Sequence, residues 1–417
     1  MTEPSLASDT DSTEPSDGAT GSSAAPSAAA SARPRRRRAL RVGVAVVAVV
    51  GVLALSVPRV NAPAPSASPT AGQGSVGPIG SAAAPLGYLA SRAEIEQRVA
   101  WAHEGREPFG TGLRDLLAFA DQARSGDPRP KQPLDISGTG GPFVDDAAAA
   151  YGLAMAYVAT GDTTYASATS RYLMAWATTT RTTRNTCTDD GACQTSLIIS
   201  RNAPGFAFAA DLIAPSGVMT ASEGATFQAW LRDVILPTAS ERDNNWGDAG
   251  TFTRIALTAY LGDAAGFDAA VARWREMMDL VAADGHIPEE VRRDSKGLAY
   301  TQEALQYKVA TAVIAARRDV DLWGYAGKAG GTLKLAIDYL VSYLHTPDRW
   351  PWNDHAEFPT PSPMWELVYA HWPETQYVDL LRAERPFSED AHSAIRWTTM
   401  SNGIPLVDDT ATPTSVP

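Results

Sequence analysis

The chain has 417 residues, 44% of them hydrophobic and 20% charged, with a formal net charge of −12. That length suffices for one large domain with a substantial core. The first 82 residues hold seven Arg and five acidic residues, which leaves 28 basic against 42 acidic groups beyond them. A field of that sign excludes general nucleic-acid binding, so an acidic ligand would have to be drawn by a local cluster of Arg and Lys.

Residues 1–41 are rich in Ser, Ala, Thr, Pro and acids and end in an Arg cluster at 33–38 with Arg41. The Ser/Ala-rich part cannot bury a core and is expected to be disordered. Residues 42–58 carry no charge and are just long enough for a membrane span. The Arg cluster on the N-terminal side places residues 1–41 in the cytoplasm and the rest outside, anchored by this single segment. A cleaved signal segment with secretion is the alternative, with Ala62-Pro-Ala64 as a weak cleavage site. Residues 59–82 read as a Pro/Ala/Ser linker, and 83–417 as the folded domain. In an oxidising compartment Cys187 and Cys193, six apart, are expected to form a local disulfide.

The domain reads as helix after helix. Ser91-Arg-Ala-Glu94 is a capping box opening the first. Helices are predicted over about 146–158 and 165–178, then from a second capping box, Thr220-Ala-Ser-Glu223, to about Ile235. Further helical spacing covers 246–261, 267–283, 300–317 and 332–345, with shorter helices at about 363–371, 374–383 and 388–399. Strand patterns are nearly absent. About a dozen helices recurring as pairs predict an all-α fold, an (α/α)n toroid whose helix pairs ring a cleft, or otherwise a compact bundle.

Two polar stretches stand out between the helical patterns. Gly285–Tyr300 packs His286, Glu289, Glu290, Arg292, Arg293 and Tyr300 together, and Asp243–Asp248 contains Asn244, Asn245 and Trp246. Loops on a rigid scaffold are where chemistry usually sits, although ordinary interhelical loops fit both stretches equally well. Of eleven Trp, five (246, 350, 352, 365 and 372) fall near loops or short late helices, where an amphipathic ring could stack on a sugar. The six His lack metal-ligand spacing, and no phosphate-binding or nucleophile-elbow motif occurs. No metal and no cofactor is expected. His355 with Glu357 could hold a cation, but surface-loop hydrogen bonding is the readier reading. Glu289 or Glu290 with Asp248 would allow an inverting glycoside hydrolase.

Several pieces, in order, carry a family likeness: Leu153–Tyr157 with Thr160-Gly-Asp162; Arg171 to Trp176; Ser200-Arg-Asn-Ala-Pro-Gly-Phe206; Asn244-Asn245; Pro288–Arg293 with Tyr300; and Trp365-Glu366-Leu367 with Tyr369. Over about residues 135–382 the chain resembles the alginate lyases and related α/α-toroid uronate polysaccharide lyases. The resemblance implies β-elimination on an acidic polysaccharide. Asn244 or Asn245 with Arg293 would hold the uronate carboxylate, Tyr300 would protonate the leaving O4, and Arg201 would help line the cleft. Glu290, His355, Trp246 and Trp352 join the substrate-binding candidates. The resembling enzymes read Asn-Asn-His, whereas this chain has Trp246 at the third position. The base is then His286, or Tyr300 acting in both proton transfers, or the activity is lost and an inactive sugar-binding protein remains. The chain is expected to act as a monomer.

Overall fold

The computed structural model describes residues 87–187, 194–388 and 393–407. The chain separates into two units, Met1–Gly77 and Pro78–Pro417, and every described residue belongs to the second. The uncharged run 42–58, its flanking segments and Cys193 lie outside the described residues, and so does the expected Cys187–Cys193 bridge. Among the described residues no helix is long and apolar enough to cross a membrane.

Both capping boxes form: Ser91 opens α1 (Arg92–His103), and Thr220 opens a later helix. After α1 come α2 (Phe109–Ser125), α3 (Pro142–Thr160), α4 (Thr163–Thr179), α5 (Gln194–Ile213), α6 (Ala221–Trp230), α7 (Asn245–Leu261) and α8 (Ala264–Asp279). Then follow α9 (Pro288–Val291), α10 (Gly297–Ala316), α11 (Leu333–His345), α12 (Met364–His371), α13 (Val378–Glu384) and α14 (Thr398–Ser401). Two-residue strands, Leu134–Asp135 and Thr183–Arg184, make one small parallel pair.

The helices fall into two kinds, and this is what makes the toroid. α3, α5, α7 and α10 are buried nearly all round and pack in succession, α3 on α5, α5 on α7, α7 on α10. They form the inner ring. α4 and α8 bury one face against α3 and α7, and α11 does the same against α10, so they form the outer layer.

The inner helix α5 carries Pro204. Proline has no N–H to give the carbonyl four residues back. That carbonyl, on Ser200, instead accepts from Thr253 Oγ1 of α7 at 2.6 Å. Ser200 Oγ accepts from the Ser240 N–H at 2.8 Å. The break in the helix ladder thus becomes a tie between two inner helices, next to Arg201.

Two expectations need correction. Periodicity marks no separate helix for α2 or α5, and the helix expected over 388–399 does not run through the described residues 393–397. Described residues 393–397 are irregular, because their N–H groups bond elsewhere: Ala394 to the Arg201 carbonyl at 2.8 Å and Trp397 to that of Ser388 at 2.7 Å. Trp397 then enters the short α14 with φ 57°. Trp350 and Trp365, expected near a cleft, are core residues with 6% and 0% exposure.

Candidate active site

The loop before α7 is pressed onto the helix. A Cβ on Gly247 would stand 1.6 Å from the Arg242 carbonyl oxygen, and one on Gly250 would stand 1.9 Å from that of Ser240. Glycine is therefore required at both positions for this close approach. Arg254 holds the same loop by donating to the Ser240 and Ala239 carbonyls at 2.7 and 2.8 Å. This fixes Asn244 as the helix cap, its Oδ1 accepting from the Trp246 N–H at 3.0 Å.

Asn245, the first residue of α7, is fully buried. Its N–H donates to Glu290 Oε1 at 2.6 Å. Both polar atoms of its side-chain amide are buried without a partner, and so is Glu290 Oε2. Unpartnered buried polar groups are rare and costly, and they concentrate where a ligand or proton is to be met. Burial raises the Glu290 carboxyl to about 8, helped by the neighbouring Asp248 and Glu303 charges and opposed by the Asn245 N–H and by Arg293.

Glu303, on α10, forms a close ion pair with Arg201 of α5. Arg293 has no carboxylate partner among the described residues. Its guanidinium lies over the Tyr300 ring, 4.5 Å from the centroid. Tyr300, in the first turn of α10, is half-buried, and its hydroxyl has no partner among the described residues. Glu289 points outward to Arg292, which is exposed. The structure thus joins Asn245, Glu290, Glu303 and Arg201 through direct contacts and electrostatic coupling, with Arg293 on Tyr300 beside them.

His286 belongs to a different cluster. Its Nδ1 is 2.6 Å from Asp284 Oδ1, and its ring lies 5.0 Å from Trp352 and 6.1 Å from Tyr339. Trp352 is 44% exposed and donates its indole N–H to the Tyr339 hydroxyl at 2.8 Å. His355 fastens a loop: Nε2 meets Asp294 Oδ1 at 2.9 Å and Nδ1 meets Asp354 at 2.9 Å, while Glu357 donates its N–H to the Ser295 carbonyl. Both carboxylates raise its imidazole above the usual range. Trp246 is buried under Arg242, 4.3 Å from guanidinium to ring. Asp248 is locked to Lys308 Nζ at 2.5 Å and almost wholly buried, so it cannot act as the second carboxylate of a hydrolase.

Sequence reasoning missed Glu303 and the Asp248–Lys308 pair. Neither has a local signal, since the partners lie 102 and 60 positions apart. Among the described residues no group of three potential ligands could hold a metal ion.

Residues 108–350 match the family described as alginate lyase. No curated protein sequence matches the chain. Among solved structures, an alginate lyase from Bacteroides ovatus is 16% identical, covering 76% of this chain and 99% of its own, with a TM-score of 0.58. Alginate lyase A1-III from Sphingomonas species A1 is 18% identical, covering 78% and 100%, at 0.60. A variant of A1-III complexed with a tetrasaccharide is 16% identical, covering 77% and 96%, at 0.64. At these identities the structural likeness is one of fold, an (α/α)n toroid.

Proposed function

We propose that this chain, which belongs to the alginate lyase family, cleaves a uronate-containing polysaccharide by β-elimination, with Tyr300 moving the proton. The observation that carries this reading is the unpartnered Asn245 amide, buried at the helix start against Glu290, whose carboxyl feels the charge of the Arg293 that covers the Tyr300 ring. The C5–H of a uronate is not acidic until its carboxylate charge is masked. Asn245 and Arg293 supply one neutral and one charged donor for that purpose. The Tyr300 oxygen takes the C5 proton and the same group protonates O4. The C4–O4 bond breaks, and a C4=C5 double bond forms. Asn244 gives its Oδ1 to the cap, whereas both polar atoms of the Asn245 amide are unpartnered, which favours Asn245 as the amide that meets substrate. Arg201, paired with Glu303, lines the site. Among the described Trp side chains, Trp352 is the one exposed enough to stack on a sugar.

With Trp246 where the resembling enzymes have His, Tyr300 serving both steps fits better than His286, whose ring packs against Tyr339 and Trp352 and has no contact with Asn245 or Arg293 among the described residues. The test is ultraviolet absorbance of product from mannuronate, guluronate and glucuronate polymers. The new double bond absorbs, and a hydrolysis product does not. No cleavage of any of them would leave the inactive binding protein as the reading. Arg293→Ala is expected to lower turnover about 10²–10³-fold, the usual cost of losing one charge-stabilising donor, with little change in melting. Arg292→Ala, at an exposed surface pair, is the control. Sharp destabilisation with activity intact would assign Arg293 a structural role instead.

The domain is expected outside the cytoplasm, tethered by residues 42–58 or released by cleavage, with Cys187 and Cys193 bridged. Membrane fractionation separates tether from release. Thiol titration of the denatured, unreduced protein tests the bridge, and two free thiols would remove it.

A further inference from the structure

Glu290, on α9, is fully buried against the start of α7, with Oε1 taken by the Asn245 N–H and Oε2 unpartnered. An ionised carboxylate with one oxygen buried and unbonded is costly. A protonated one has a hydrogen to give. The charged groups facing it are Asp248 on α7, itself held by Lys308; Glu303 on α10, held by Arg201; and Arg293 after α9. The α7 N-terminus favours a carboxylate, as does Arg293. Burial and the two neighbouring acids favour the acid form, and they outweigh it.

We propose that Glu290 works as an uncharged carboxylic acid whose Oε2–H, beside the Asn245 amide, donates to the substrate's uronate carboxylate. This rests on the uronate reading of the site and adds a donor to it. A carboxylic acid next to a carboxylate makes a short, charge-assisted hydrogen bond, whereas an ionised Glu290 would repel the same group. Substrate binding therefore takes up the Glu290 proton requirement. The site accepts uronate while the proton is present and rejects it once the proton is lost.

Binding of saturated tetrauronates (mannuronate, guluronate, glucuronate) is measured by calorimetry from pH 6 to 9 in the Tyr300→Phe background, which prevents turnover. Affinity is expected to hold to about pH 8 and then fall about tenfold per pH unit, the slope of a one-proton linkage. Adding Glu290→Gln, which keeps a donor and cannot ionise, is expected to weaken binding a few-fold at pH 7 and abolish the alkaline fall.

Melting gives a reading without ligand. The folded protein keeps a proton that the unfolded chain releases above the ordinary Glu range. Wild-type stability should thus fall as pH rises from that range to about 8, relative to Glu290→Gln. An alkaline fall that survives Glu290→Gln, or is absent from the parent, overturns the inference and leaves the lyase reading intact. Binding with the expected fall, but no ultraviolet-absorbing product from the wild type, defeats the lyase reading and leaves this inference standing.

Discussion

Tyr300→Phe is expected to lower kcat/KM by about 10²–10⁴, or roughly 3–5 kcal/mol of barrier, while leaving the melting temperature nearly unchanged. The stability half follows from geometry. Tyr300 is half-buried, its hydroxyl has no partner among the described residues, and the ring that faces the Arg293 guanidinium is kept. The activity half follows from chemistry. Phenylalanine removes the oxygen that takes the C5 proton and returns one to O4. If both transfers pass through Tyr300, the loss lies at the upper end of that range. His286→Ala separates the routes, since a loss of the same size makes His286 the base and a few-fold loss leaves both steps with Tyr300. A Tyr300→Phe protein with near-normal turnover would remove Tyr300 from the chemistry altogether.

The parts of the site legible in the sequence are those set by local rules. The helix expected over 246–261 and the one expected over 300–317 follow from 3.6-residue spacing and appear as α7 and α10, with the two polar stretches leading into them. The inner ring is harder to read. α5 is buried on every side and contains a proline, so no apolar stripe marks it and its strongest local signal argues against a helix. Only the bond from Thr253 to the freed Ser200 carbonyl, made by a residue 53 positions away, makes it acceptable. Glu289 and Glu290 show the same limit at the scale of one residue. They are adjacent acids, yet the phase of a single helical turn sends one to surface Arg292 and buries the other against Asn245. The helix expected over 388–399 does not run through residues 393–397 for the converse reason. Its sequence suits a helix, but the backbone of residues 393–397 is held by α5 and by Ser388.

Lys308→Met is expected to cost about 3–5 kcal/mol of stability, because it strands a buried carboxylate. Lys308 and Asp248 have side chains 1% and 2% exposed, with Nζ and Oδ1 2.5 Å apart. Burial raises the Asp248 carboxyl and Lys308 lowers it again, so removing Lys308 leaves burial opposed by the smaller influence of the Arg273 charge. The sign of the pH dependence follows. The variant's folded state holds a proton on Asp248 that its unfolded state releases above the ordinary Asp range. Its deficit is therefore smallest in mild acid and grows towards neutrality. Methionine keeps most of the lysine stem, which separates the charge effect from a cavity. Asp248→Asn combined with Lys308→Met removes both charges and should recover most of the loss, giving a large coupling energy in the double-mutant cycle. If the double variant melts as low as Lys308→Met alone, packing around the stem, and not the ion pair, holds α7 to α10. The same pair bears on turnover. Asp248 lies one helical turn after Asn245 on α7, and Lys308 lies on the helix that carries Tyr300. Below its melting range Lys308→Met should lose turnover through a poorly placed Asn245, and the double variant should regain it with its stability.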